Sequence, residues 1–381
     1  MHTRPPPSPP PLTNHERFRT ATASQTTTTL PTQAPSRRAA QGSSLSRPRR
    51  SRRAAEYDAC CFSPYASFSA LQISPEDLGI WSDAHVEPLK RVAGIIKRYG
   101  SVPAIQLAHA GQKASTKRPW SQEHGASTLV DAANGGWEPV AASAVSFDGG
   151  KAYAVPHELT LAQIEEVQQA FVAAAKRALA AGFELIELHG AHGYLINNFL
   201  SPLTNKRTDT YGGSFANRTR FLLETVKRVR DPAVWPAHLP LVVRISAHEW
   251  NEHGWSVDES VELAKQLKEL GVDAIDVSTG GNAPVAQFKV YSGYQVPFAQ
   301  TIKEKAGIAV FAVGLIREPT HANEIVVAER ADLVLLAREL LHNPHWPIHA
   351  AEYFQVPTAP YVIHSQARAH GPSYPPKLPQ F

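Results

Sequence analysis

The sequence predicts an α/β fold, a (β/α)8 barrel behind a disordered N-terminal extension. Three observations carry this. Short, continuously apolar runs alternate with amphipathic helical patterns, as in a parallel sheet covered by helices. Polar residues recur at the C-terminal ends of those runs, where a barrel places its chemistry: Gln106 and His109, His189 and His192, Arg244 and Ser246, Ser278, Gly314 and Arg338. No G-x-G-x-x-G follows the first run, so a doubly wound dinucleotide-binding fold is unsupported.

The strand candidates are VPAIQLAH (102–109), FELIELHG (183–190), LPLVVRIS (239–246), VDAIDVST (272–279), IAVFAVG (308–314) and ADLVLLA (331–337). Helices are expected between them at Thr160–Ala181, Ser214–Arg230, Val257–Leu270, Gln295–Lys305 and Pro319–Glu329. Thr160 with Gln163, and Ser256 with Glu259, have capping-box spacing. Leu161, Ile164, Val167, Phe171, Ala175 and Leu179 then share one helical face. Gly271 stands where a helix-ending glycine is expected. Six strands are legible, so the barrel reads as incomplete, its first two strands unrecognisable and its sheet open between Val102–Leu107 and Leu333–Leu336.

Composition bounds the rest. The 381 residues, 43% hydrophobic, suit a globular protein. The longest apolar run, FVAAAKRALAAGF, is broken by Lys176 and Arg177, well short of a membrane span. Two adjacent cysteines, Cys60 and Cys61, supply neither a disulfide framework nor an iron–sulfur site. Residues 1–55 hold ten arginines against one acid, Glu16, a net of +9; the chain totals +4, which leaves the remainder at −5. The basic character therefore belongs to a Pro-, Ser-, Thr- and Arg-rich tail that cannot bury enough surface to order itself. The reading divides the chain into an extension (1–69), a barrel (70–355) and a C-terminal tail (356–381). It places the protein in the cytoplasm, with organelle targeting by the tail as the alternative, and expects neither membrane nor nucleic-acid partners; a homo-oligomer stays open.

The site candidates each admit two readings. His189 and His192 have His-x-x-His spacing, but catalytic zinc needs a third protein ligand. Buried histidines also satisfy backbone groups. The functional reading is a pair of neutral imidazoles donating to one substrate oxygen, with Tyr194 as a nearby proton donor. Arg244 interrupts an apolar strand, and a buried cation needs a partner: either a salt bridge to Asp276 or Glu187 on adjacent strands, or a ligand that becomes negative during turnover. Gly314, Ala337 and Arg338 end the last two strands, where barrels bind phosphate.

EDLGIWSD, IQLAHAGQKA, HGAHGYLINNFLSPLTNKRTDTYGGSFANRTRFLLE, VVRISA, GYQVPFA, AVGLI and ADLVLLARELLHNP occur in this order and resemble the old yellow enzyme family, in its thermophilic-like NADPH-dehydrogenase branch, from Ile73 to Phe354. The resemblance implies an FMN-dependent oxidoreductase that carries hydride from NADPH or NADH to the activated C=C of an α,β-unsaturated carbonyl or nitro compound. It implies that His189 and His192 bind the substrate oxygen and Tyr194 protonates the α-carbon. Gln106 would meet the flavin pyrimidine, Arg244 its N1 and O2, and Gly314, Ala337 and Arg338 its phosphate. The family pattern has Gly-Arg where this chain has Ala337–Arg338, which adds a methyl group there. Arg368 resembles an arginine that some relatives insert into a neighbouring subunit. The family's first strand, with a Ser-Pro-x-Cys/Thr segment against the flavin, has no counterpart in the tail; SPYASFS (63–69) lies too close to ISPEDLG to leave room for an intervening helix and strand. A second reading is thus a truncated, flavin-poor remnant that serves binding alone.

Overall fold

The computed structural model describes residues 60–61, 72–118, 129–284 and 288–356. The expectations that fall on residues 1–55, on SPYASFS and on Arg368 lie outside these. In chain order the strands are β1 (Cys60–Cys61), β2 (Ala104–Ala108), β3 (Val140–Ala141), β4 (His157–Glu158), β5 (Leu185–Gly190), β6 (Leu241–Ser246), β7 (Ala274–Ser278), β8 (Ala309–Ala312) and β9 (Leu333–Val334). The helices are α1 (Val86–Arg98), α2 (Leu161–Ala180), α3 (Leu195–Leu200), α4 (Phe215–Val229), α5 (Val257–Glu269), α6 (Val296–Ala306), α7 (Pro319–Val327), α8 (Arg338–His342) and α9 (Trp346–Tyr353).

All six expected strands are present and parallel, in one sheet of order β1-β2-β5-β6-β7-β8-β9. The seventh strand is a finding. Cys60–Cys61, which the sequence leaves in the extension, pairs in parallel with Leu107 and Ala108 at the edge expected to stand open. A two-residue run carries no readable periodicity, so its pairing is tertiary in origin. β1 and β9 are the edges, and among the described residues no strand joins them. Both are two residues long.

The helices follow the capping signals. Thr160 caps α2 and Ser256 caps α5, each with its complete capping box; Ser214 caps α4. Ile164, Val167, Phe171 and Ala175 of α2 are buried, whereas Leu161, expected on the same face, is 54% exposed. Leu161 is the first helical residue, directly after the Thr160 cap. α1, α3, α8 and α9 were not expected; three of these are eight residues or fewer, too short to show periodicity.

Strand alternation separates two cores. The larger lies between sheet and helices and includes Phe171, Phe221, Ile186, Val243 and Ile275. The smaller fills the barrel floor: Leu185, Val242, Ala274, Phe311 and Leu333, with Ala104, Ala309 and Leu335 against it. Two residues further along the same strands, still facing inward by the period of 2, stand Gln106, Glu187, Arg244 and Asp276. One step higher come His189, Ser246 and Ser278. The interior therefore grades from an apolar floor, through a charged layer, to a polar mouth.

The polar tract after α3 is largely architectural. Asn205 Nδ2 donates to the carbonyls of Phe199 and Tyr211, both at 2.7 Å. Arg207, buried, donates to Ala142 O (3.0 Å) and Leu159 O (2.6 Å) and pairs with Asp209 at 2.6 Å. Arg218 ties Leu200 O to Glu259. These bonds fix the segment that carries Tyr194 against α4 and α5.

Candidate active site

His189 is the fifth residue of β5 and 4% exposed. The chain then turns sharply. His192 adopts φ 60°, a left-handed conformation uncommon outside glycine. Three contacts over-determine it: its N–H donates to Ser246 Oγ (2.9 Å), its carbonyl accepts from Lys113 Nζ (2.9 Å), and its Nε2 lies 2.6 Å from Ser278 Oγ. Gly193 follows at φ 76°, where a Cβ would come within 2.4 Å of Gly281 O. Its N–H donates to Asn197 Oδ1 (2.8 Å) and its carbonyl accepts from Asn198 Nδ2 (2.9 Å) and Gln112 Nε2 (3.3 Å). The turn returns Tyr194 to His189, ring centroids 5.0 Å apart, and the two imidazoles stand 5.1 Å apart, edge to face.

Burial, then the nearby Arg244 and Lys113 charges, hold both imidazoles well below their usual pKa, with His192 adding to the effect on His189. They are neutral near pH 7, each with one N–H to donate. Nδ1 of His189 is buried without a hydrogen-bond partner, an atom waiting for a polar ligand. Among the described residues no group of three His, Cys, Asp or Glu side chains is placed to hold a metal.

Below the histidines, Arg244 Nε lies 3.0 Å from Asp276 Oδ2, and Gln106 Nε2 donates to Glu187 Oε1 at 2.5 Å. The salt bridge to Asp276 is thus present, and Gln106 and Arg244 share one layer. Beside them, a cavity of about 200 Å³ runs from Arg244 and Ser278 past Gln295 and Gly314 to Ala337 and Arg338. Gly314, at φ 129°, leaves this space open: a Cβ there would stand 3.1 Å from Gln295 Nε2 and 3.2 Å from the Tyr294 ring. Ala337 and Arg338 are exposed at the far rim.

All eight sequence-predicted residues therefore lie along one continuous path: His189, His192 and Tyr194 at the mouth, Gln106 and Arg244 below, and Gly314, Ala337 and Arg338 along the cavity. The space suits a ligand with a polar ring and an anionic tail, which FMN is. The sequence reading missed Lys113. Its Nζ donates to His192 O and, at 2.5 Å, to Gly281 O, and it sits 4.0 Å above the Phe147 ring; burial pulls its pKa down to about 8. It also missed the clamp of Gln112, Asn197 and Asn198. The signal available for Lys113 was its place in the loop directly after a strand end.

Residues 56–355 match the NADH:flavin oxidoreductase / NADH oxidase family. The chain belongs to that family. The match begins ahead of β1, so Cys60–Cys61 falls inside it. NADPH dehydrogenase from Geobacillus sp. (strain WCH70) is 50% identical over 281 residues, 74% of this chain and 75% of that one. The NADPH dehydrogenase of Halalkalibacterium halodurans is 48% identical over 280 residues, with the same shares. Among solved structures, morphinone reductase in complex with tetrahydroNAD aligns with TM-score 0.61 at 23% identity, covering 79% of this chain and 78% of that one. 2-Naphthoyl-CoA reductase aligns with TM-score 0.62 at 28% identity over 72% of this chain, which spans 42% of that longer protein. FMN is the cofactor of this oxidoreductase family, and a nicotinamide dinucleotide its reductant.

Proposed function

We propose that this flavin oxidoreductase reduces the activated C=C of α,β-unsaturated carbonyl or nitro compounds, with His189 and His192 holding the substrate oxygen and Tyr194 delivering the proton. The observation that carries the reading is the convergence of two neutral, buried imidazoles and a phenol on one point above Arg244. FMN bound against Gln106, Arg244, Gly314, Ala337 and Arg338 supplies hydride chemistry.

The protein's own groups do the rest. An enone oxygen gains negative charge as its β-carbon accepts hydride, and fixed donors aimed at that oxygen lower the barrier; one such donor contributes about 2.7–4 kcal/mol. Neutral imidazoles suit the task, because they donate without first having to lose a buried charge. For His192 to donate from Nδ1, its Nε2 must accept from Ser278 O–H. The Ser278 O–H has two acceptors in reach, Gln295 Oε1 at 3.2 Å and His192 Nε2 at 2.6 Å. Gln295 Oε1 also accepts from Thr279 Oγ1 at 2.7 Å, so the shorter contact to His192 is the one the Ser278 hydroxyl serves here. Tyr194 then returns a proton to the α-carbon, and Lys113, 5.9 Å from the Tyr194 ring, makes the phenol a better acid. Arg244 balances charge below.

The curated relatives named NADPH dehydrogenase and the tetrahydroNAD complex of morphinone reductase support a nicotinamide reductant. No described helix is long and apolar enough to cross a membrane, and a cytoplasmic setting accords with the two adjacent cysteines. The test is product analysis with 2-cyclohexenone and deuterated NADPH under anaerobic conditions. The reading expects cyclohexanone labelled at the β-carbon. NADPH consumed only when oxygen is admitted, with the enone intact, overturns it; a protein without flavin that consumes no NADPH under either condition favours the reading as a remnant that serves binding alone.

A further inference from the structure

Lys113 brings a positive charge to the mouth of the site. Among the described residues no carboxylate pairs with it, and burial alone draws its pKa down to about 8. An ammonium has three N–H donors and no acceptor. Nζ of Lys113 donates to the carbonyls of His192 at 2.9 Å and Gly281 at 2.5 Å. It also stands over the face of Phe147, 4.0 Å from the ring centroid, well inside the roughly 6 Å reach of a cation–π contact. The Tyr194 ring lies farther off, its centroid at 5.9 Å. Two carbonyls and an aromatic face thus hold the cation next to the phenol.

Phe147 is set in place by the loop that joins β3 to β4. Ser146 Oγ donates to Tyr153 O (3.0 Å) and accepts from the Gly150 N–H (2.9 Å), which closes the loop on itself. Asp148 accepts from the N–H groups of Lys151 (3.1 Å), Ala152 (2.6 Å) and Tyr153 (3.3 Å). Tyr153 is thereby brought edge-on to Phe147, ring centroids 4.9 Å apart. Asp148 is the one acid between Ser146 and Tyr153, and these bonds turn it to its own backbone. From the other elements, His192 and Tyr194 face Lys113 after β5, with His189 beyond them, and Gly281 faces it after β7; no carboxylate stands among these.

A carboxylate beside Lys113 would keep it charged but cancel its field. A ring face attracts the cation through its quadrupole and carries no net charge. The positive charge therefore stays available in a buried site, where charges interact more strongly than in water. Tyr194 turns negative as it gives up its proton, and a nearby uncancelled cation favours that state. We propose that Phe147 is a positioning residue for proton delivery: it seats the Lys113 ammonium beside Tyr194 and keeps it charged without neutralising it. The loop from Ser146 to Tyr153 is then part of the site, and more than a connection between two short strands. The proposal rests on the reading of Tyr194 as the proton donor.

The test follows the two half-reactions of the FMN-loaded protein separately, in F147L and in a protein carrying trifluorophenylalanine in place of Phe147. Leucine keeps an apolar wall and removes the ring; the fluorinated ring keeps the shape and depletes the negative face. Both should leave FMN content and the rate of flavin reduction by NADPH within about twofold, because no proton from Tyr194 enters that step. With the attraction gone and the burial kept, the ammonium should lose its proton at lower pH. Reoxidation by 2-cyclohexenone should therefore slow about fivefold at pH 8 in F147L, its alkaline limb moving down by about one pH unit, with a smaller shift of the same sign for the fluorinated ring. A limb that stays in place in both proteins, or a loss equal at every pH, overturns the role of Phe147 while Y194F remains slow in reoxidation. A Y194F protein reoxidised as fast as the unmodified one overturns the proton donor instead, and the proposal with it. Should F147L fail to fold, the fluorinated protein decides.

Discussion

Nε2 of His192 lies 2.6 Å from Oγ of Ser278, although His192 follows β5 and Ser278 ends β7. The contact spans β6 and ties the substrate-facing turn to the far side of the site. With the Ser278 O–H donating to Nε2, the imidazole carries its proton on Nδ1, since the partner of one ring nitrogen sets the role of the other. Ser278→Ala removes that control without emptying the flavin cavity's anionic end. The expected outcome is a loss of about tenfold in kcat/KM for an enone, close to one hydrogen bond's worth, with FMN content maintained. Unchanged kcat/KM would show that the Ser278 hydroxyl does not set the tautomer.

His189→Ala should cost more, because in the proposed function His189 donates directly to the substrate oxygen. The expected loss is 100- to 1000-fold in enone reduction, the range for one oxyanion donor, about 2.7–4 kcal/mol. Binding of phenols, which imitate the charged oxygen, should weaken in parallel while FMN content holds. A zinc content that fell together with His189 in elemental analysis would instead support the metal reading.

Lys113 titrates in an accessible range, with burial drawing it to about 8. Below that value the ammonium holds the His192 and Gly281 carbonyls and supports Tyr194; above it one donor and the charge are lost. kcat/KM for an enone, whose own charge does not change, should therefore fall as pH rises through about 8. Lys113→Met should lie at the low plateau throughout, down roughly tenfold. A variant that kept the alkaline limb would assign it to another group.

Stability should decline on the acid side before surface carboxylates protonate. His109 is pulled to about 3 by burial, and His189 and His192 are likewise depressed. In the unfolded chain each returns to about 6.5, so the unfolded state binds protons that the folded state refuses. This contribution is complete above about 6.5 and is lost as pH falls below it, by up to about 1.4 kcal/mol per pH unit for each histidine. The raised carboxyls of Glu187 and Asp276 act oppositely, their contribution being lost as pH rises through their raised values, but they are two groups against three histidines. Urea midpoints at pH 7 and pH 5.5 should differ, the lower pH being less stable. Equal midpoints would contradict the burial of neutral histidines.

Much of this molecule was legible because its signals are local. The capping boxes at Thr160 and Ser256 announce their helices, and the apolar runs ending in Gln106, His189 and Arg244 announce strands whose tips meet. The Arg244 partnership with Asp276 could be anticipated because a lone cation in an apolar strand demands an acid on a neighbouring one. What escaped was set by tertiary contact. Cys60–Cys61 becomes a strand only because β2 offers an edge. Lys113 is ordinary in sequence, and becomes a site residue only when the carbonyls of His192 and Gly281 close over it. Gln112, Asn197 and Asn198 look like loop polarity until they converge on Gly193.

The most direct test of the central claim is an anaerobic titration of the purified protein followed by its visible spectrum. Flavin absorbance near one FMN per chain should bleach with one equivalent of NADPH and return on addition of 2-cyclohexenone. A protein isolated without flavin that fails to take up added FMN, or one whose bleached spectrum stays unchanged with the enone, would contradict the account.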